Sequence, residues 1–159
     1  MSDSIVFDPQ ATYKTKRHKL FWYDCSNHAI DKYAIDFESQ GIQSINVGIE
    51  LSKYLRDHKN LKFLSLEVEE YLRELIIERA YLSKHVSFPT VILFNLGMLL
   101  ETSIDLDASA FLKELSKEIA IIILWQDTVE EDNIFLWDIK KPSVCLNFSN
   151  ADIIKISLQ

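Results

Sequence analysis

Cys25 and His28 sit three positions apart in the segment Asp24-Cys25-Ser26-Asn27-His28-Ala29-Ile30-Asp31. A thiolate and an imidazole at that spacing can hold zinc, and a cysteine near a histidine base can act as a nucleophile. Structural zinc needs four ligands, and the other cysteine, Cys145, lies 120 positions away. No CxxC pair and no zincin-type histidine pair is present, which disfavours zinc-knuckle, thioredoxin-like and metallopeptidase chemistry. The segment reads as a capped loop, with Ser26 or Asn27 as the N-cap, beside an inert thiol. No metal or cofactor is expected.

Phosphate chemistry is disfavoured by glycine usage. The 159 residues include three glycines, Gly41, Gly48 and Gly97, where about 7% is usual. A dinucleotide fingerprint needs three glycines within six residues, and a Walker A loop needs Gly-Lys followed by Ser or Thr. Here each glycine is followed by Ile or Met. The segment 24–31 also lacks a lysine and carries Asp24, which repels an anion; Lys32 is the nearest cation. A second candidate position is Asn95, which closes the apolar run Thr90-Val91-Ile92-Leu93-Phe94. Magnesium-dependent phosphoryl transfer wants a carboxylate there; Asn is neutral, and Glu101 is the nearest acid. The acidic run Asp127-Thr128-Val129-Glu130-Glu131-Asp132 lacks the alternation and turn glycine of an EF-hand loop and reads as solvated.

The formal net charge is −7. Basic residues concentrate in Lys14, Lys16, Arg17 and Lys19, leaving 13 Lys/Arg against 22 Asp/Glu in residues 20–159. Such a body repels a phosphate backbone, so direct nucleic-acid binding is disfavoured except through that basic run. No apolar run approaches the roughly 20 residues that span a bilayer, and the N-terminus shows no signal-peptide pattern. A reduced, cytoplasmic protein without membrane contact is the expectation.

The elements that must position these residues are legible from periodicity. Leu20–Tyr23, Ile42–Val47, Thr90–Phe94 and Ile119–Trp125 read as strands, the last two as strands covered on both faces. Ile30, Ala34 and Phe37 predict a short helix ended by Gly41, and Val47, Leu51, Tyr54 and Leu55 predict a second. Residues 61–83 predict the longest helix, with Val68, Tyr71, Leu72, Leu75, Ile76 and Tyr81 or Leu82 on its apolar side. Asp105 or Asp107 predicts a capped helix through Leu115. Ile153–Leu158 reads as a final strand. Strands alternating with helices imply an α/β fold: a mostly parallel sheet with helices on both faces, as one domain over residues 19–159 behind a weakly ordered arm, residues 1–18. In such sheets ligands bind beyond the carboxyl ends of the strands. Trp125, Phe135 and Trp137, near those ends, are candidate partner-contact residues.

The stretch from Gly41 through Asn46, Gly48, Glu50 and Ser52 to Leu55 resembles the second strand and following helix of BrxF, the small P-loop protein family of bacteriophage-exclusion (BREX) defence systems. Pro89–Leu100 sits where that family has its Walker B strand, and Leu106–Ser116 with Ile121–Trp125 is similar to its next helix and strand. The resemblance covers roughly residues 19–158 and implies a P-loop NTPase-like three-layer architecture. Its departures fall on the phosphate loop, at Asp24, Ser26, Asn27, His28 and Lys32, and on the acid position at Asn95, with Glu101 beyond. The joint loss implies a pseudo-ATPase: a non-catalytic accessory subunit of an antiviral defence complex, acting through other protein subunits or self-association. The alternatives are nucleotide binding or weak hydrolysis through an unorthodox loop, using His28, Lys32 and Glu101, and a DNA-binding accessory role through Lys14–Lys19.

Overall fold

The protein is described by a computed structural model that covers residues 17–26, 29–58, 64–149 and 153–156. Its three most apolar strands are β1 (Leu20–Asp24), β3 (Thr90–Phe94) and β4 (Ala120–Trp125), buried along their length except at Asp24. β2 (Gln43–Asn46) and the last strand, β8 (Ile153–Ile156), form the edges. The order is β2-β3-β4-β1-β8, and every pairing in this sheet is parallel.

Side chains alternate strictly across the sheet, as a period of two requires. Phe21, Tyr23, Ile92, Phe94, Ile122 and Leu124 meet one helix, α1 (Ile30–Ser39), through its Tyr33, Ala34 and Phe37. Leu20, Trp22, Val91, Leu93, Ile121, Ile123 and Trp125 face the other way, into a larger core. That core is roofed by α2 (Val47–Asp57), α3 (Leu64–Leu82) and α4 (Ala108–Leu115). The distribution follows from crossover handedness. The connection from β1 to β2 runs one way across the sheet and carries α1. Every later connection runs back and lies on the opposite face. The expected α/β fold with helices on both faces is therefore present, in a three-layer arrangement consistent with a P-loop-like architecture.

Three local outcomes differ from the sequence reading. On α3 the buried stripe is Val68, Leu72, Ile76 and Ala80, while Tyr81 and Leu82 are exposed. Four-residue spacing carries the stripe onto Ala80, which ends it before the two larger residues. The acidic run and the segment after it form a second, antiparallel sheet of β5 (Val129–Glu130), β6 (Ile134–Leu136) and β7 (Cys145–Asn147). Its turn contains two successive left-handed residues, Asp132 and Asn133 (φ 61° and 60°), residue types that tolerate that conformation. Phe135, Leu146 and Phe148 from this sheet complete the large core, with Phe135 edge-on to Trp22, Trp125 and Phe148. Finally, His18, the last residue of the expected arm, is in contact with the domain that begins at Lys19. His18 Nδ1 lies 3.1 Å from the Lys113 carbonyl oxygen, and the Lys19 backbone N–H donates to the Ser116 carbonyl at 2.9 Å. Residues 1–16, most of the expected arm, lie outside the described residues.

Gly41 ends α1 with φ 93°, where a Cβ would lie 2.6 Å from the Lys84 carbonyl oxygen; the expected helix stop is a position that only glycine fills without strain. Among the described residues no helix is long and apolar enough to cross a membrane.

Leu72 is fully buried on α3 and Leu66 of the same helix is exposed. Leu72→Ala is expected to lower unfolding free energy by about 2–5 kcal/mol, and Leu66→Ala by no more than about 0.5 kcal/mol, read from urea unfolding monitored by tryptophan fluorescence.

Candidate functional site at the carboxyl ends of the strands

β1 and β4 are neighbours, yet the chain leaves them in opposite directions, towards β2 from one and towards β8 from the other. Such a reversal opens a crevice at the strand ends. The crevice is a cleft of about 250 Å³ whose walls include Asp31, Asn46, Asn95, Trp125, Gln126, Asp127 and Trp137. A broader hollow of about 650 Å³ lies beside it, bounded by Trp22, Asp24, Ser26, the acidic run and Lys155.

One wall of the cleft is fixed by two asparagines. Asn46 is the N-cap of α2, its Oδ1 accepting from the Ile49 backbone N–H at 3.1 Å. That donor identifies the atom as oxygen, so Asn95 must turn its amide nitrogen towards it; the Asn95 Nδ2–H donates to Asn46 Oδ1 at 2.8 Å. Asn95 does this from a left-handed backbone, φ 57°, which asparagine tolerates better than most residues. The arrangement explains Gly48 in the first turn of α2, since a Cβ there would collide with the Asn95 side-chain amide. Asn95 thus ties β3 to α2. An aspartate in its place could not donate.

The opposite wall is acidic. The first turn of α1 carries Asp31, and its N-cap residue Ala29 offers no side-chain acceptor. Asp127 follows β4. Neither carboxylate has a cation or hydrogen-bond donor among the described residues. Asp127 is exposed overall, yet partial desolvation beside the cleft pushes its carboxyl above the ordinary range. Asp24 behaves in the opposite way. Burial there also opposes ionisation, but the Ser26 backbone N–H donates to Asp24 Oδ1 at 2.9 Å, and Lys155 Nζ stands 3.8 Å from Oδ2. These favourable contacts win, and the carboxyl sits below its ordinary range.

Cys25 is fully buried, with its Sγ 3.7 Å from the Tyr23 carbonyl oxygen. Burial, reinforced by the Asp24 charge, pushes the thiol up to about 12. It stays protonated at neutral pH and is neither a nucleophile nor a thiolate ligand. Asn27 and His28 lie outside the described residues. Lys32 is exposed on α1 and Glu101 is exposed after the short 3₁₀ turn Gly97–Leu100; neither lines the cleft. Among the described residues no group of three or more His, Cys, Asp or Glu is placed to hold a metal ion.

The donor set does not fit a nucleoside triphosphate. Phosphate binding at a helix N-terminus relies on free backbone N–H groups and added positive charge. Here Asp24 takes the Ser26 N–H, Asp31 occupies the first turn of α1, Asp127 lines the cleft, and among the described residues no Lys or Arg lines it.

Of the three aromatic residues expected at a partner surface, Trp137 alone reaches solvent, at 40% exposure; Trp125 and Phe135 are 3% and 0% exposed. Both face the large core, because their positions fall on the inward register of β4 and β6. Trp137 stands 6.2 Å from Trp125, ring to ring and near edge-on. It lies so close to Gly97 that a Cβ there would collide with the indole. Of the basic run, Lys14 and Lys16 lie outside the described residues and Arg17 is exposed. Lys19 is buried with its ammonium 4.7 Å from the Phe88 ring centroid, so it is not free to meet a phosphate. Asp31, Asn46 and Asp127 fall in strand-end segments that the sequence marks for chemistry without singling them out as site residues; Gly48 and Gly97 were the further signals available, each marking a close approach by a side chain at the cleft. Searches of protein families, curated proteins and solved structures found no match to this chain.

Asn95→Asp would set two acceptors against each other at Asn46, and is expected to destabilise by about 1–3 kcal/mol, measured by urea unfolding at pH 7. Asp127→Asn should do the reverse at that pH. A carboxyl whose folded value is raised contributes stability that is full below its unfolded value and is lost as pH rises through the folded value. The substitution should therefore raise Tm at pH 7 and leave it unchanged near about pH 3, read by calorimetric scans at both pH values.

Proposed function

We propose that this chain is a non-catalytic, P-loop-like adaptor that works by binding other proteins, a pseudo-ATPase subunit of a bacterial anti-phage defence assembly located in the cytoplasm. The observation that carries this reading is the chemistry of the crevice. An α/β sheet of this order offers one end for ligands, and that end presents Asp24, Asp31 and Asp127 where a phosphate-binding protein presents lysine and free backbone N–H groups. The asparagine bond across β3 and α2 favours the same reading. The position at which a magnesium-holding acid would stand is used instead to fasten the framework. A scaffold needs rigidity and exposed contact residues rather than turnover, and Trp137 at the cleft and Ile49 in the groove beside Asn95 supply apolar exposure at this end of the molecule. The defence setting rests on the BrxF resemblance.

Isothermal calorimetry of the full chain with ATP and with GTP, each with magnesium, is expected to give no binding at concentrations up to about 1 mM. Dissociation constants in the micromolar range for either nucleotide would overturn the adaptor reading. Affinity capture from the native host should in turn recover further subunits.

A further inference from the structure

The groove beside Asn95 runs between α2 and the 3₁₀ turn Gly97–Leu100, with a volume of about 490 Å³. One wall is a stripe of α2. Ile49, Ser52, Lys53 and Arg56 recur at three- and four-residue spacing and so share one face of the helix. The other wall is Met98, whose Sδ lies 3.1 Å from Ser52 Oγ. Met98 is half-buried on the large core and Ile49 is 50% exposed, so the groove has an apolar end that nothing among the described residues covers. Its other end is basic. Lys53 and Arg56 are exposed, and their acidic neighbours Glu50 and Asp57, on the same helix, stand 4.0 and 3.8 Å away. Exposed pairs at that range contribute little, which leaves both cations open to a further carboxylate. Among the described residues no Asp or Glu lines the groove, although Asp and Glu outnumber Lys and Arg by 24 to 17 in the chain.

We propose that this groove docks an acidic amphipathic helix of a partner protein, one apolar side chain seated between Ile49 and Met98 and its carboxylates on Lys53 and Arg56. Charge complementarity selects the occupant, because a cationic pair in an acid-free groove attracts carboxylates and rejects a basic segment. The spacing suits a helix. Lys53 and Arg56 lie four and seven positions beyond Ile49, about 6 and 10.5 Å along the axis. A partner helix lying alongside can therefore present one apolar residue and carboxylates four and seven positions from it, the usual anchor spacing of a helix in a groove. Met98 suits this use, since an unbranched thioether adapts its shape to the side chain it meets. A nucleic acid fits less well. The net charge of −7 opposes a polyanion along its whole length, whereas a short segment meets chiefly the local pair, and the apolar end would have no counterpart on a phosphate backbone. This assignment rests on the adaptor reading and names the chemistry of its partner, but its test is separate.

The chain has two methionines, Met1 and Met98, so the methyl spectrum of the full-length protein labelled with ¹³C-methyl methionine reports on the groove directly, with Met98→Leu assigning the signal. The probe is an acetylated, amidated peptide of two Leu-Glu-Glu-Leu-Ala-Glu-Glu heptads. Its controls carry glutamine or lysine in place of every glutamate, and a short oligothymidylate stands for nucleic acid. The acidic peptide should move the Met98 methyl saturably, with Kd of about 10–100 μM at low salt, and more weakly as salt rises. The glutamine peptide should bind at least tenfold more weakly, and so should the acidic peptide to the Lys53→Gln/Arg56→Gln variant. Both substituted residues are exposed, and the retained fold of the variant is read from its amide spectrum. Ile49→Ala should weaken binding by at least about threefold. Equal response to the glutamine or lysine peptide, an undiminished response in the double variant, or binding that leaves Met98 in place would overturn the proposal; a response to oligothymidylate as strong as that to the acidic peptide would overturn the choice of a protein partner. Micromolar nucleotide binding would sink the adaptor reading, and the peptide titration would still decide the groove. An absent Met98 response with no nucleotide binding would sink the groove assignment alone.

Discussion

β1, β3 and β4 are apolar on both faces, and the rest of the structure answers to that constraint. Leaving the larger face open would expose at least Val91, Leu93, Ile121 and Ile123. At about 1.5–3 kcal/mol for each buried aliphatic side chain, the loss would be comparable with the entire net stability of a domain, about 5–15 kcal/mol. Each connection must therefore carry a covering element. Right-handed crossovers then dictate which face each one covers. One helix suffices on the side of α1, while the opposite side takes three helices. The antiparallel sheet closes what remains of that side, over Trp22 and Trp125. The unusual feature is that this last cover is not helical. Between β4 and β8 the chain builds a small sheet, and its aromatic residues do the work that a helix stripe does elsewhere.

The same topology leaves one place uncovered, the carboxyl ends where β1 and β4 part. Backbone N–H groups at the start of α1 would attract an anion there. This sequence places carboxylates there instead, on α1 and after β4, and satisfies the Ser26 N–H with Asp24. The electrostatic character of the crevice is thus inverted relative to a phosphate site without a change of architecture. The two glycines nearby serve packing and not ligand approach. Gly48 admits the Asn95 amide and Gly97 admits the Trp137 indole. Few glycines are needed, because each relieves one specific collision.

Regular elements and the identity of the crevice were readable from the residues alone, because long apolar runs and helical stripes are local signals that only one type of element satisfies. Val68, Leu72 and Ile76 declare a helix by spacing, and Thr90–Phe94 declares a doubly covered strand by composition. The absence of glycine and lysine from residues 24–31 is likewise a local fact, and it already weighs against phosphate binding. Three other properties depended on distant partners. β5, β6 and β7 span two or three residues each, too few for a period to show, and they exist because pairing and the Trp22–Trp125 surface stabilise them together. Whether an aromatic residue is exposed was also not local. Trp125 and Trp137 have the same chemistry, but the register of β4 buries one against its roof, while the other, just past the end of β6, is left partly in solvent. The partnership of Asn46 with Asn95, 49 positions apart, and the convergence of Asp31 with Asp127 arise where strands distant in sequence end at one edge. Sequence alone thus determined which elements form and which chemistry the crevice lacks, since both follow from short-range pattern and residue type. The tertiary structure alone decided which side chains meet there, because that depends on strand order and register.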